Sequence, residues 1–577
     1  MDMRFLPTKL KKYKEDDFKT KEDIINIKKD KILSLRKKKN KKHNFNRILG
    51  EKEKEEAKKY AIYEFQESDF QNATNKYMKK KEIFNLSFEQ IYKSNPYDNE
   101  ELKYWLCSVY RCSNKGKSET LLNILTEEKI KFLIDILTDS SQFNYSNNNS
   151  INFEQIKNNI KFKYTICSIL INVSYDTKKY NEILIDKIMP IYNFLLILIQ
   201  IYQNWKDITF LILITHYQWL LNNCIVDDDN YPKIIKKNPN INFPQLIQTI
   251  FIINNEEIYL NNIRMLIIYL QQQSNHETFF QYNTFISNLD NIISISIEKN
   301  NIEIILEAYK ALNELFKSEA NCRLVLENKQ YIKLITKIIN GFNNISFCNC
   351  CLTKLIKNDK DNIINDTYQI YKTLLDIIFK KIPSGKDTIK HSLKILRLIF
   401  GNKNGFNLIN FIISSYAKNI FVQLKDLFFE KPSDLLIQSE VYNFLLTIFD
   451  LANNSFKAIL ISNGLHIFIL NCLGECYQEF MKENKENTYY IKLIIQILKL
   501  LNSVLSFGEG NLELKIQLKN CCEEKDIYRI LEELNYSKDK QIQDLVEELN
   551  NKYFEGYENE EFNDKEDDEE KDKDELF

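Results

Sequence analysis

The chain has 577 residues, of which 44% are hydrophobic and 28% charged, and its formal net charge is −1. Only 11 Gly and 8 Pro occur, too few for a many-turned β architecture and in keeping with long helices joined by short corners. At about 150 residues per globular domain the length implies three or four domains, unless the core grows along one axis as in a repeat protein.

Residues 1–50 carry 17 Lys/Arg against 7 Asp/Glu, a net of +10. The charge is densest in LSLRKKKNKKHNFNRI at 33–48. Leu10, Tyr13, Ile32, Leu33 and Leu35 interleave with the charges. That mixture favours a protein partner over phosphate neutralisation, and no basic face is identified elsewhere in the chain, so neither nucleic acid nor a membrane is expected. A charged, lysine-rich opening is not a secretory signal, and 12 scattered Cys read as reduced thiols. Residues 51–75 read as a linker, 76–554 as a helical array.

Within the array, apolar residues recur at three and four positions in EEKIKFLIDIL, NIEIILEAYKALNELF, QYIKLITKIINGF, TIKHSLKILRLIF and YYIKLIIQILKLLNSVL. The Asn/Ser-rich piece 140–152 reads as a loop insertion. Ile188–Trp205 and Ile208–Val226 are uncharged runs of 18 and 19 residues, long enough to span a bilayer. Their internal Pro190, Asn193, His216, Gln218, Asn222 and Asn223 favour a buried helix pair instead. Helical blocks ending near Asn172, Asn223, Tyr269 and Asn313 are spaced by 51, 46 and 44 residues, close to the range of armadillo or HEAT repeats. Asn328 and the pair Asn463–Gly464 interrupt two such blocks and suit left-handed helix stops.

Enzymatic signals are weak. Cys348, Cys350 and Cys351 lack the second spaced pair and the sequence-adjacent His of a zinc site. PSGKDT lacks the upstream glycine of a phosphate loop. No cofactor, metal or catalytic residue is expected. The chain closes on residues 555–577, with 13 Asp/Glu against 3 Lys, a net of −10, which reads as a solvated acidic arm.

The chain resembles importin alpha, the nuclear-import adaptor family, at three places. Lys9, Leu10, Lys11, Tyr13 and Lys14 match the opening of that family's importin-beta-binding segment, and Leu35, Arg36, Lys37 and Lys39 match its second block. Glu22 and Asp23 stand where the family carries arginines. The family's inner-face helix reads W-x-x-x-N; Trp219 and Asn223 fit it, Tyr309 and Asn313 keep an aromatic and the Asn, Asn172 keeps the Asn alone with Ser168 at the Trp position, and Met265 with Tyr269 is a Tyr-bearing variant. Residues 526–561 resemble the family's last repeat, with Tyr553 and Phe554 before an acidic run.

The resemblance implies a right-handed superhelical armadillo solenoid of about nine or ten repeats. It implies cargo peptides rich in Lys/Arg held by Asn172, Trp219, Asn223, Tyr309 and Asn313, where amides hold a peptide backbone and aromatic walls take lysine stems. Asp227, Asp228 and Asp229 would be placed to meet cargo ammonium groups. Importin beta would be met by Lys9, Lys11, Lys12, Tyr13, Lys14, Arg36, Lys37, Lys38, Lys39, Lys41 and Lys42, and a nuclear export carrier by the C-terminal end. A tethered lysine segment beside a lysine-binding groove also implies self-competition through Lys37–Lys39, Lys41 and Lys42, in a protein shuttling between cytoplasm and nucleus. The rival reading is an armadillo scaffold for cytoskeletal or signalling partners with no import role.

Overall fold

The computed structural model describes residues 125–141 and, with short breaks, 153–554, together with scattered positions between 96 and 109. The segment 1–50, the linker 51–75 and the tail 555–577 lie outside the described residues, and with them every residue assigned to carrier binding. All regular elements among the described residues are helices. They fall into two compact units, Met1–Gln272 and Gln273–Phe577.

The first unit contains α1 (Glu127–Thr138), α2 (Phe153–Asp176), α3 (Lys178–Asp186), α4 (Ile188–Trp205), α5 (Ile208–Ile225), α6 (Asn230–Lys237), α7 (Phe243–Phe251) and α8 (Glu256–Gln272). The two uncharged runs are α4 and α5. Their corner is Lys206, at a left-handed φ of 55°, followed by Asp207, whose carboxylate accepts from the Thr209 amide at 2.8 Å and caps α5. α2, α5 and α8 lie side by side in a front layer, and α1, α4 and α7 pack behind them. Because α5 touches helices on three sides, buried residues, among them Thr209, Thr215, Gln218 and Asn222, cover all but one stripe of it.

The second unit contains α9 (Tyr282–Glu298), α10 (Ile302–Leu315), α11 (Glu319–Glu327), α12 (Ile332–Gly341), α13 (Ser346–Asn358), α14 (Ile363–Tyr368), α15 (Ile370–Ile378), α16 (Lys386–Gly401), α17 (Gly405–Phe429), α18 (Leu435–Leu451), α19 (Asn454–Ser462), α20 (Leu465–Lys482), α21 (Thr488–Gly508), α22 (Leu512–Glu524), α23 (Ile527–Asn535) and α24 (Lys540–Leu549), closed by a π turn Asn550–Phe554. A triplet recurs: a short corner helix, a back helix, a front helix. α11–α12–α13, α14–α15–α16, α19–α20–α21 and α22–α23–α24 follow it, and in α17 the first two members merge into one helix of 25 residues. The front helices α10, α13, α16, α18, α21 and α24 pack in sequence, each also against its own back helix.

One device joins helices to the ends of earlier ones. The last carbonyls of a helix have no intrahelical partner and carry the negative end of its dipole. Lys163 of α2, fully buried, donates to Ile136 O, Leu137 O and Asp139 O at 2.6, 3.0 and 2.8 Å, and Tyr217 of α5 donates to Leu137 O at 2.6 Å. Asn223 of α5 also reaches the last turns of α2, donating to Ile171 O at 3.2 Å and Ser174 Oγ at 3.1 Å. In the second unit Lys354 donates to Asn313 O, and Asn402 donates to Ile356 O and Asp359 O at 3.2 and 2.7 Å. Burial pushes the Lys163 ammonium down to about 7, while the three carbonyls and the Phe194 ring 4.5 Å away offset part of that cost.

Two turn expectations divide. Gly464 takes the left-handed conformation at φ 89°, but Asn463 stays at φ −84°. Asn328 does end α11, but in extended rather than left-handed conformation, φ −101° and ψ 112°, and its side chain accepts from the Gln330 amide at 3.1 Å, starting the 3₁₀ turn Lys329–Tyr331. Among the described residues, α21 alone is by itself long and apolar enough to cross a membrane, and half of that stretch is buried inside the protein.

Candidate peptide-binding site

On α5 the positions that escape burial are Ile208, Ile212, His216, Trp219, Asn223 and Val226. Their spacing of four, four, three, four and three residues draws one stripe along the helix. Trp219 and Asn223 therefore share a face, and both are half-buried. Tyr164 of α2 brings its ring within 4.2 Å of the His216 ring, and Trp219 follows at 6.4 Å. The result is a short aromatic run across two front helices. His216 donates Nδ1–H to Ile212 O at 2.9 Å, since a carbonyl can only accept, and burial lowers its pKa to about 4. The ring is neutral at pH 7, and α5 itself bears no charged residue.

Asn223 departs from the expected chemistry. Both amide hydrogens go to Ile171 O and Ser174 Oγ, so only Oδ1 remains for a ligand. Asn172 lies in the last two turns of α2, with its side chain outside the described residues. Asp227, Asp228 and Asp229 also lie outside them.

Tyr309 is a correction. It is 1% exposed, its hydroxyl lies against Cys348, and burial raises its pKa strongly; it is core, not a wall for a peptide. Met265 and Tyr269 are likewise buried. The cause is the rotation of the helix: on α10 the stripe of residues that escape burial is Ile302, Glu303, Leu306, Glu307, Lys310 and Asn313, which leaves Tyr309 inside. Asn313 does sit on that stripe, half-buried, with Oδ1 buried and unpartnered among the described residues. Thus the structure puts Trp219 and Asn223 together on one face and leaves Tyr309 out of the face that holds Asn313.

The expectation of no basic face beyond the N-terminus is overturned. α13 and α16 together bear Lys354, Lys357, Lys386, Lys390, Lys394 and Arg397, opposed within those helices by Asp387 alone. Lys390, Lys394 and Arg397 hold the half-exposed stripe of α16, and Lys354 the matching place on α13. His391 lies among them, its Nε2 4.0 Å from Cys350 Sγ and its Nδ1 3.0 Å from Thr353 Oγ1. Burial, reinforced by the lysines, lowers the His391 pKa to about 4. The neighbouring Cys348 and Cys351 are buried, and the described residues form no group of three metal-ligating side chains. The recurrence of Lys386, Lys390, Lys394 and Arg397 at steps of four, four and three was readable as a stripe. The abundance of Lys elsewhere in the chain hides that recurrence.

No protein-family model matches the chain, and no curated protein matches it. Solved structures do. An engineered protein from a structural genomics consortium shares 10% identity over 81% of this chain and 96% of its own, with a TM-score of 0.54. A chain from a study of the interaction between cadherin and β-catenin shares 9% identity over 82% and 98%, with a TM-score of 0.44. Importin beta shares 11% identity over 83% of this chain and 64% of its own, with a TM-score of 0.38. With its two-layer stacking and recurring triplets, the chain is an all-α helical-repeat solenoid.

Proposed function

We propose that the chain is a non-catalytic adaptor that holds an extended peptide along the half-exposed stripe of α5, and that it serves nuclear import. The observation that carries the reading is the shared, half-buried face of Trp219 and Asn223, continued by His216 and Tyr164. An indole there offers a flat wall to the methylene stem of a lysine and a π face to its ammonium, and the free Asn223 Oδ1 accepts from a peptide N–H or an ammonium. The basic segment 1–50, by its resemblance, links this adaptor to importin beta and competes with cargo for the same stripe.

Anisotropy with a fluorescent lysine-rich signal peptide tests the reading. Trp219→Ala, with or without Asn223→Ala, is expected to weaken binding at least tenfold, and removal of residues 1–50 to strengthen binding while abolishing capture of importin beta. Unchanged affinity in the Trp219 variant would sink the α5 site. A second reading, a scaffold with no import role, is favoured by the burial of Tyr269 and Tyr309 and by the basic stripe of α16. It predicts normal folding with neither lysine-peptide binding nor importin beta capture.

A further inference from the structure

We infer that the basic front face of α13 and α16 is a docking surface for an extended acidic peptide, and that its occupant is the chain's own tail, residues 555–577. This face belongs to the second unit and is distinct from the α5 stripe, so it stands or falls independently of the import reading.

Three observations meet here. The first is charge: six basic side chains against one acid on two adjacent helices, facing a tail with a net of −10. The second is clustering. Lys354, Lys390 and Lys394 act electrostatically on Cys350, and Lys390 and Lys394 on His391, with Asp387 opposing them at both, so three cations and one acid from two helices meet at one spot. Local acids answer only part of this. Asp387 pairs with Lys390 at 2.6 Å and Glu440 of α18 with Arg397 at 3.5 Å. Lys354 donates to Asn313 O and is also within electrostatic reach of Glu314; the two helices still carry a net excess of positive charge, which favours an anionic partner.

The third is reach. The array ends at Tyr553 and Phe554, packed at the end of the front layer beside α21, where Tyr553 meets Ser506 and Asn502. From α24 to α16 the front layer takes three steps, through α21 and α18. At roughly 8–10 Å per step this is about 30 Å, and one further helix length adds about 24 Å. The tail has 23 residues, which extended span up to about 75 Å. An extended chain of carboxylates laid along α16 meets cations at each turn of the helix.

The test uses a fluorescent peptide of residues 555–577, the full-length chain, and a chain ending at Phe554. The peptide is expected to bind the shortened chain at least tenfold more tightly than the full-length one, whose own tail competes, and to lose affinity steeply between 50 and 300 mM salt. Lys390→Glu with Lys394→Glu in the shortened chain should cost tenfold or more. A peptide with Asp567, Asp568, Glu569 and Glu570 replaced by Asn or Gln should show a similar loss, a control that leaves the folded array untouched. Equal affinity for both chains overturns the proposal. So does binding that survives the Lys390/Lys394 reversal but vanishes when residues 1–50 are removed, since the tail's partner would then be the basic segment.

Discussion

α5 and α16 occupy equivalent places in the front layers of their own units, and each is buried except for one stripe. On α5 that stripe is uncharged and aromatic, Ile212, His216, Trp219 and Asn223; on α16 it is cationic, Lys390, His391, Lys394 and Arg397. The packing requirement is the same in both: two-thirds of the helix surface must be apolar to meet its neighbours. The remaining stripe is released from core duty, and there the two units diverge in chemistry. The first stripe carries no charge and the second is cationic, so a peptide rich in lysine is repelled by the second alone.

The sharpest way to break the comparison is to exchange lysines across it. Lys163 is a fully buried lysine holding three carbonyls, whereas Lys394 lies on the open stripe. Lys163→Ala leaves those carbonyls unsatisfied and should lower stability by about 3 kcal/mol, while Lys394→Ala should stay within about 0.5 kcal/mol. Urea unfolding followed by circular dichroism reads both. Equal losses would mean that the α1 cap is not formed.

Acid should affect both stripes alike. His216 and His391 have folded values of about 4, below the unfolded value near 6.5. The unfolded chain therefore binds protons first, and stability present above about pH 6.5 is lost as pH falls towards 4. Each ring is only partly covered, so about 1–2 kcal/mol each is expected. The double variant His216→Gln with His391→Gln should flatten that part of the profile, measured as melting temperature against pH. An unchanged slope would show that both rings titrate as if solvated.

The smallest effect belongs to Asn223. Asn223→Ala removes two hydrogen bonds to the end of α2 and should cost about 1 kcal/mol in urea. A loss of peptide affinity without that loss of stability would assign Asn223 to the ligand rather than to the α2 terminus.

Much of this was readable from residue pattern alone. α4 and α5 begin where their uncharged runs begin and end within one residue of them, because a charged pair, Lys206 and Asp207, is what a corner between buried helices can tolerate. Trp219 and Asn223 share a face because four residues nearly close a helical turn. What was not readable is the rotation of each helix about its own axis, which neighbours decide. The same aromatic-x-x-x-Asn spacing leaves Trp219 on the rim and carries Tyr309 into the core against Cys348. Nor does sequence distance reveal that His391 reaches Cys350 across 41 positions, or that an amide suited to a ligand is already holding Ile171.

The side chains that α2 and α5 lend to earlier helices have a consequence for how the first unit comes apart. Unwinding α5 withdraws Tyr217 from α1 and Asn223 from α2, and unwinding α2 withdraws Lys163 from α1. In the first unit α5 cannot melt without loosening α1 and α2, nor α2 without loosening α1. That unit should therefore behave as a row of coupled links, in which damage at one position spreads towards the N-terminal side more readily than towards the other.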